Sequence, residues 1–353
     1  MEKLGIAVVG AGYWGPNLIR NFRGSTDWEL RAVCDLDTER ARQVVGGSDL
    51  LVTADLDEVL AREDVDAVAV ATPARTHRPI AERALRAGKH VLVEKPLASS
   101  VADGSRMVEE ARSQGLVLMT DHTYCYTPVV QKIRELVSSG SLGEILFVDS
   151  VRINLGLLQP DVDVLWDLAP HDLSILDFVL PGGLRPLGVA AQGADPLGAG
   201  KSCVGYLTLP LPGGAMAHVH VNWLSPTKIR QMVIGGSERT LLWDDLNPQQ
   251  RLSVFDRGVD LIQQSVDSAD RRTASISYRL GDTWAPALPE REALGAMVAE
   301  FAASIREERA PVTDGEAGLR VLSVLEAAAT SQRARGAQVD VVPADVPALE
   351  IVR

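Results

Sequence analysis

The chain has 353 residues, 46% hydrophobic and 23% charged, a balance that fits a soluble globular protein with room for two cores. Its formal net charge of -12 argues against a nucleic-acid or anionic-membrane partner but allows an anionic substrate in a locally basic pocket. Cys34, Cys125 and Cys203 form no CxxC pair, which argues against a disulfide framework or zinc knuckle; with no membrane-length apolar run and no signal-like N-terminus, a cytoplasmic protein is expected.

Short apolar runs bounded by turn residues predict buried parallel strands over 4–9, 30–34, 50–52, 67–71, 91–94 and 116–119. Between them the spacing predicts helices over 17–22, 38–45, 56–62, 79–87 and 101–114, with Gly88 as a helix stop. Such alternation specifies an α/β fold with a doubly wound parallel sheet, assigned to residues 1–121. Past His122 the texture changes. A helix over 129–138 is followed by β runs over 145–153, 203–209, 215–221, 228–234 and 239–243, separated by Pro and Gly turns. A helix over about 166–179 interrupts them, 193–201 reads as a loop, and helices over 290–306 and 315–335 close the chain. Residues 122–353 are therefore expected to form an α+β domain on a mostly antiparallel sheet.

Gly10-Ala11-Gly12-Tyr13-Trp14-Gly15 follows the first strand and opens a helix. Gly10 permits a tight turn, Gly12 lets the backbone approach a pyrophosphate, and Gly15 lets the helix pack close to the sheet. Asp35, at the end of the second strand, stands where an acid bonds the adenosine ribose and repels a 2′-phosphate, which favours NAD over NADP; it also fits a solvated turn acid. Ala71, Thr72 and Pro73 end the fourth strand and are expected to line the same crevice. Tyr13 and Trp14 fit either cofactor contact or packing under the first helix.

Glu94-Lys95-Pro96 ends the fifth strand, at the sheet edge where ligands bind. A lysine there suits polarising a hydroxyl or stabilising an alkoxide, aimed by the following Pro96. In Trp166-Asp167-Leu168-Ala169-Pro170-His171, Asp167 and His171 are spaced to share one helix face, so the acid can fix the imidazole tautomer of a general base. Pro170 is tolerated if the helix starts near Asp167. The same pair also fits an N-cap acid and a core histidine. His218 and His220 share a strand face without a neighbouring Cys, Asp or Glu, so no metal site is predicted.

The glycine loop, Glu94-Lys95-Pro96 and Asp167 with His171, in that order, resemble the glucose–fructose oxidoreductase / inositol dehydrogenase / rhizopine catabolism (Gfo/Idh/MocA) family along essentially the whole chain. The resemblance implies a Rossmann domain, a second domain whose open-faced sheet forms a homodimer or homotetramer interface, and hydride transfer between a sugar or cyclitol carbon and a nicotinamide. It implies Lys95, Asp167 and His171 as the catalytic set, with either His171 or Lys95 as the base: in the arrangement favoured here His171 takes the hydroxyl proton, Lys95 holds the oxygen and Asp167 orients either one. Thr72-Pro73 with His77, and Glu94 beside Lys95, are implied at the cofactor.

Arg152, Lys228 and Arg230 predict a basic cluster for a carboxylate or diphosphate, with Asn154, Lys95 and His171 completing a substrate site, unless they are solvent-facing strand residues. The stretches 166–174 and 244–248 resemble members from bacterial nucleotide-sugar pathways, implying oxidation of a nucleotide-linked sugar at C3. Alternatives are an inositol or free-sugar dehydrogenase, a 3-ketosugar reductase of a secondary-metabolite pathway, and a non-catalytic NAD-binding regulator.

Overall fold

The chain alternates strand and helix through its first third, in a computed structural model that describes residues 2–47, 50–263 and 274–341. The expected domain ranges 1–121 and 122–353 include residues 1, 48–49, 264–273 and 342–353, which lie outside the described residues. The elements are β1 (Leu4–Val9), α1 (Gly15–Gly24), β2 (Trp28–Cys34), α2 (Thr38–Val45), β3 (Leu51–Thr53), α3 (Leu56–Leu60), β4 (Ala67–Val70), α4 (His77–Arg86), β5 (His90–Glu94), α5 (Val101–Gln114) and β6 (Leu118–Asp121). All six strands pair in parallel in the order β3-β2-β1-β4-β5-β6. Strand order reverses between β1 and β4, which opens a crevice at their carboxyl ends. Every residue of β4 is buried, as a central parallel strand requires.

The remaining elements are α6 (Pro128–Ser138), β7 (Ile145–Leu155), α7 (Val164–Val179), β8 (Ala190–Ala194), β9 (Val204–Pro210), β10 (Met216–Asn222), β11 (Leu224–Gly236), β12 (Thr240–Asp244), β13 (Leu252–Gln263), β14 (Ala274–Trp284), α8 (Ala293–Arg306) and α9 (Gly315–Arg333). The second sheet runs β14-β13-β12-β11-β7-β10-β9-β8, antiparallel except where β7 meets β10. Along β7, Val148, Ser150 and Arg152 turn inward toward α7, while Phe147 and Asp149 alternate onto an open face. Met216 and Tyr206 are exposed on the neighbouring strands.

Three strands depart from the sequence pattern. The expected loop at 193–201 begins inside β8, whose Gly193 and Ala194 pair with β9. β13 and β14 were not anticipated. Helix α7 starts at Val164 rather than near Trp166, because the Asp163 side chain accepts from the Trp166 N–H and caps it. Pro170 consequently lies inside the helix and not in its first turn. Finally, α8 and α9, assigned by position to the second domain, pack back on the first sheet. Trp28 stacks on Phe301 at 5.2 Å and donates its indole N–H to the Val298 carbonyl at 2.8 Å. Arg112 of α5 pairs with Glu316 of α9, and Arg320 of α9 grips Asp177 of α7.

Candidate active site

The glycine loop is built for close backbone approach. At Gly10, φ is +100° and a Cβ would lie 2.6 Å from the Ala71 carbonyl oxygen; at Gly15 it would lie 2.1 Å from the Gly10 oxygen. Gly12 faces open space, which leaves room for a pyrophosphate above the first turn of α1. Asp35 is buried beneath this loop. Its Oδ2 accepts from the Ala11 N–H at 2.6 Å, and its Oδ1 accepts from the Asp37 N–H at 2.8 Å and Arg40 at 2.7 Å. A carboxylate has about four acceptor positions, so Asp35 braces the loop with three of them and keeps one for a ribose hydroxyl. Tyr13 is 85% exposed, whereas Trp14 packs on the core and donates its indole N–H to Asp121 at 3.0 Å.

At the end of β5 the Lys95–Pro96 peptide is cis. Lys95 Nζ donates to the Asp167 backbone carbonyl at 2.8 Å and stands 3.2 Å from Oδ1 of the same residue. Trp223 donates its indole N–H to Oδ2 at 3.0 Å. Asp167 therefore aims Lys95. The expected Asp167–His171 pairing is replaced by these two partners, which take one carboxylate oxygen each.

His171 instead packs edge-on against Tyr124, ring centroids 5.2 Å apart. Burial, then the charges of Lys95 and Arg152, hold its imidazole well below the usual histidine range, so it is neutral. Tyr124 is a hub that sequence reasoning missed. The Arg152 guanidinium lies over its ring at 4.5 Å, and Arg230 donates to its hydroxyl at 2.9 Å. Its clue was position, since it falls just after the carboxyl end of β6.

The predicted basic cluster is assembled only in part: Arg152 and Arg230 both meet Tyr124, and each already has a carboxylate partner. Arg152 is 3% exposed and gives two hydrogen bonds to Asp172, at 2.8 and 2.9 Å, while Ser150 donates to the same carboxylate at 3.0 Å. Arg230 is engaged by Tyr124 and Asp245. Lys228 is exposed and has no ion pair or hydrogen bond among the described residues. Asn154 does approach the site: a Cβ on Gly156 would touch both its Nδ2 and the Trp223 ring.

His77 also departs from its expected role. Its ring is buried under the crevice, with Nδ1 3.0 Å from the Pro96 carbonyl oxygen and Nε2 2.7 Å from that of Thr72. It joins the turn after Pro73 to the Lys95 turn and does not face the crevice. His122, missed in the sequence, is buried with neither ring nitrogen bonded; burial, then the Lys95 charge, lowers it to about 3. Among the described residues no group of three His, Cys, Asp or Glu forms a metal-sized cluster, and no helix is long and apolar enough to cross a membrane.

Residues 4–122 match the oxidoreductase family with an NAD-binding Rossmann fold, and residues 130–242 match the GFO/IDH/MocA C-terminal domain. UDP-N-acetylglucosamine 3-dehydrogenase of Acidithiobacillus ferrooxidans is 28% identical over 326 residues, 92% of this chain and 95% of that protein. A solved structure of that enzyme superposes with a TM-score of 0.79 at 26% identity, covering 95% of this chain and 99% of the other. The dTDP-3,4-didehydro-2,6-dideoxy-alpha-D-glucose 3-reductase of Streptomyces violaceoruber is 33% identical over 182 residues, 48% of this chain and 52% of that protein. D-apiose dehydrogenase of Paraburkholderia graminis is 27% identical over 365 residues, 97% of this chain and 92% of that protein. With its glycine loop open at Gly12 and both halves matched, the chain belongs to the Gfo/Idh/MocA family of NAD-binding oxidoreductases.

Proposed function

We propose that this protein interconverts a secondary alcohol and a ketone on a sugar, with C3 of a nucleotide-linked sugar as the reacting position. The observation that carries this reading is the Lys95 ammonium, held by Asp167 at the crevice edge beside a neutral His171. His171 takes the hydroxyl proton, because a neutral imidazole has a free acceptor nitrogen. Lys95 donates to the substrate oxygen and stabilises its developing negative charge. Asp167 and Trp223 hold Lys95 in place, and Asn154 lines the same side. NAD, when bound, supplies the hydride acceptor.

A free-sugar substrate is the second reading. It is favoured by the commitment of Arg152 to Asp172 and of Arg230 to Tyr124 and Asp245, which leaves Lys228 as the cation for a diphosphate. The exposed Phe147, Tyr206 and Met216 on the open sheet face support self-association as a homodimer or homotetramer.

The test is nicotinamide absorbance with NAD and a panel of UDP-hexosamines, their uronates, free pentoses, hexoses and cyclitols. Reduction with the nucleotide sugars alone supports the first reading. Rapid turnover of a free sugar with none of the nucleotide sugars replaces it with the second.

A further inference from the structure

Two carboxyl groups outside the proposed chemistry stand side by side below the crevice. Glu94 and Asp121 are register partners at the carboxyl ends of β5 and β6, 9% and 2% exposed. As register partners on parallel strands, their side chains leave the sheet on the same face, close enough to share a hydrogen bond. Two carboxylates offer only acceptors, so such a bond needs a proton on one of them. The surroundings decide which. Burial raises Asp121 as well, but it receives the Trp14 indole N–H on Oδ2 at 3.0 Å and the Thr123 hydroxyl on Oδ1, donors that offset this and suit an anion. Glu94 therefore carries the proton. Burial, then the neighbouring Asp121, pushes Glu94 well above the usual carboxylate range.

The other groups around the pair do not reverse this arrangement. Lys95 favours the Glu94 anion but ranks behind burial and Asp121. His122, next to Asp121, and His77, on the Pro96 carbonyl, are both neutral. Thr123 and Trp14 of the loop before α1 contribute donors only.

We propose that Glu94 and Asp121 act as one proton-sharing pair that tethers Trp14, and through it the glycine loop, across the crevice to β6. While Glu94 keeps the proton, Asp121 remains in place as the acceptor for the indole. Loss of that proton to solvent sets two anions against each other on adjacent strands, draws Lys95 toward Glu94 and frees Trp14. Affinity for the dinucleotide then falls. The inference rests on the NAD-binding character of the crevice and is independent of which sugar is turned over.

The experiment titrates NAD into the full-length protein by calorimetry from about pH 6 to about pH 10. It compares wild type with Glu94→Gln, Asp121→Asn, Trp14→Phe and the Asp121→Asn/Trp14→Phe double variant, with circular dichroism as the check on folding. Wild-type affinity is expected to fall roughly tenfold across the alkaline range. Glu94→Gln is expected to lose the pH dependence, since its amide donates as the acid does but does not ionise. Asp121→Asn and Trp14→Phe each weaken binding roughly tenfold at every pH, and their combination adds little. A flat wild-type profile, an unchanged alkaline fall in Glu94→Gln, or fully additive losses in the double variant would overturn the pair's role. No NAD binding at any pH would overturn the crevice assignment along with it.

Discussion

Lys95 and Trp223 divide the Asp167 carboxylate between them, the ammonium at Oδ1 and the indole N–H on Oδ2. With both oxygens engaged, Asp167 has one orientation, and that orientation fixes where Lys95 points. Trp223→Phe keeps the ring in its buried slot but removes the donor. Turnover is expected to fall roughly tenfold, the scale of a hydrogen bond to a charged group, while calorimetric NAD affinity is unchanged. An equal loss of NAD affinity would mean that Trp223 supports the crevice as a whole.

Lys95→Ala should reduce turnover by about a hundredfold or more, as expected when an oxygen-stabilising donor is deleted. Lys95→Arg should not restore it, because a planar guanidinium cannot occupy the ammonium's place between the Asp167 carbonyl and Oδ1. Steady-state kinetics on the substrate identified by the panel provide the check. Wild-type rates in Lys95→Arg would show that the site needs only a positive charge.

Arg152 and Asp172 form a buried ion pair that supports Tyr124 and, through it, His171. Arg152→Met leaves Asp172 buried without its main partner and is expected to cost about 3–5 kcal/mol in urea unfolding. Arg152→Met with Asp172→Leu should recover most of that loss. If the single variant proves as stable as wild type, Arg152 is available for another role, including the substrate contact first expected of it.

His122 gives a stability signature in acid. In the unfolded chain it takes up a proton near 6.5, whereas in the fold it stays neutral down to about 3. The folded state is fully favoured above 6.5 and loses about 1.4 kcal/mol for each pH unit below it through this group. His122→Gln, which cannot be protonated, should remove that part of the slope between urea unfolding at about pH 7 and about pH 5. His171 contributes in the same direction, so some slope persists. A variant slope equal to that of wild type would rule out His122 as a source.

The dinucleotide half was legible because its strands are short apolar runs ending in small or charged residues, and Gly10, Gly12, Gly15 and Lys95 fall at those ends. Asp121 was not. The apolar run over 116–119 stops before it, yet the strand continues through two buried polar residues whose partners belong to other strands and loops. The Asp167–Trp223 bond joins positions 56 apart, and no helical period encodes such a contact. Likewise, Asp167 and His171 have the spacing of a bonded pair, but Lys95 and Trp223 take both carboxylate oxygens. β8, with the sequence Ala-Ala-Gln-Gly-Ala, has little intrinsic strand preference and is held by its pairing to β9 and by Ser331 of α9 on the Ala191 N–H.

The return of α8 and α9 to the first sheet makes the second sheet an insertion in the chain and not an appendage to it. The Rossmann core is closed by residues that follow the insert: Phe301 against Trp28, Arg306 on Asp27, and Thr313 bonded to the Thr120 backbone. Stopping the chain after β6 would therefore strip the dinucleotide half of its own packing, and the folding unit of that half includes α8 and the residues leading into α9. Exchange of the segment between β6 and α8, in contrast, replaces the second sheet and α7, and with them Asp167, His171 and Trp223, while leaving the first sheet's strands and the glycine loop in place.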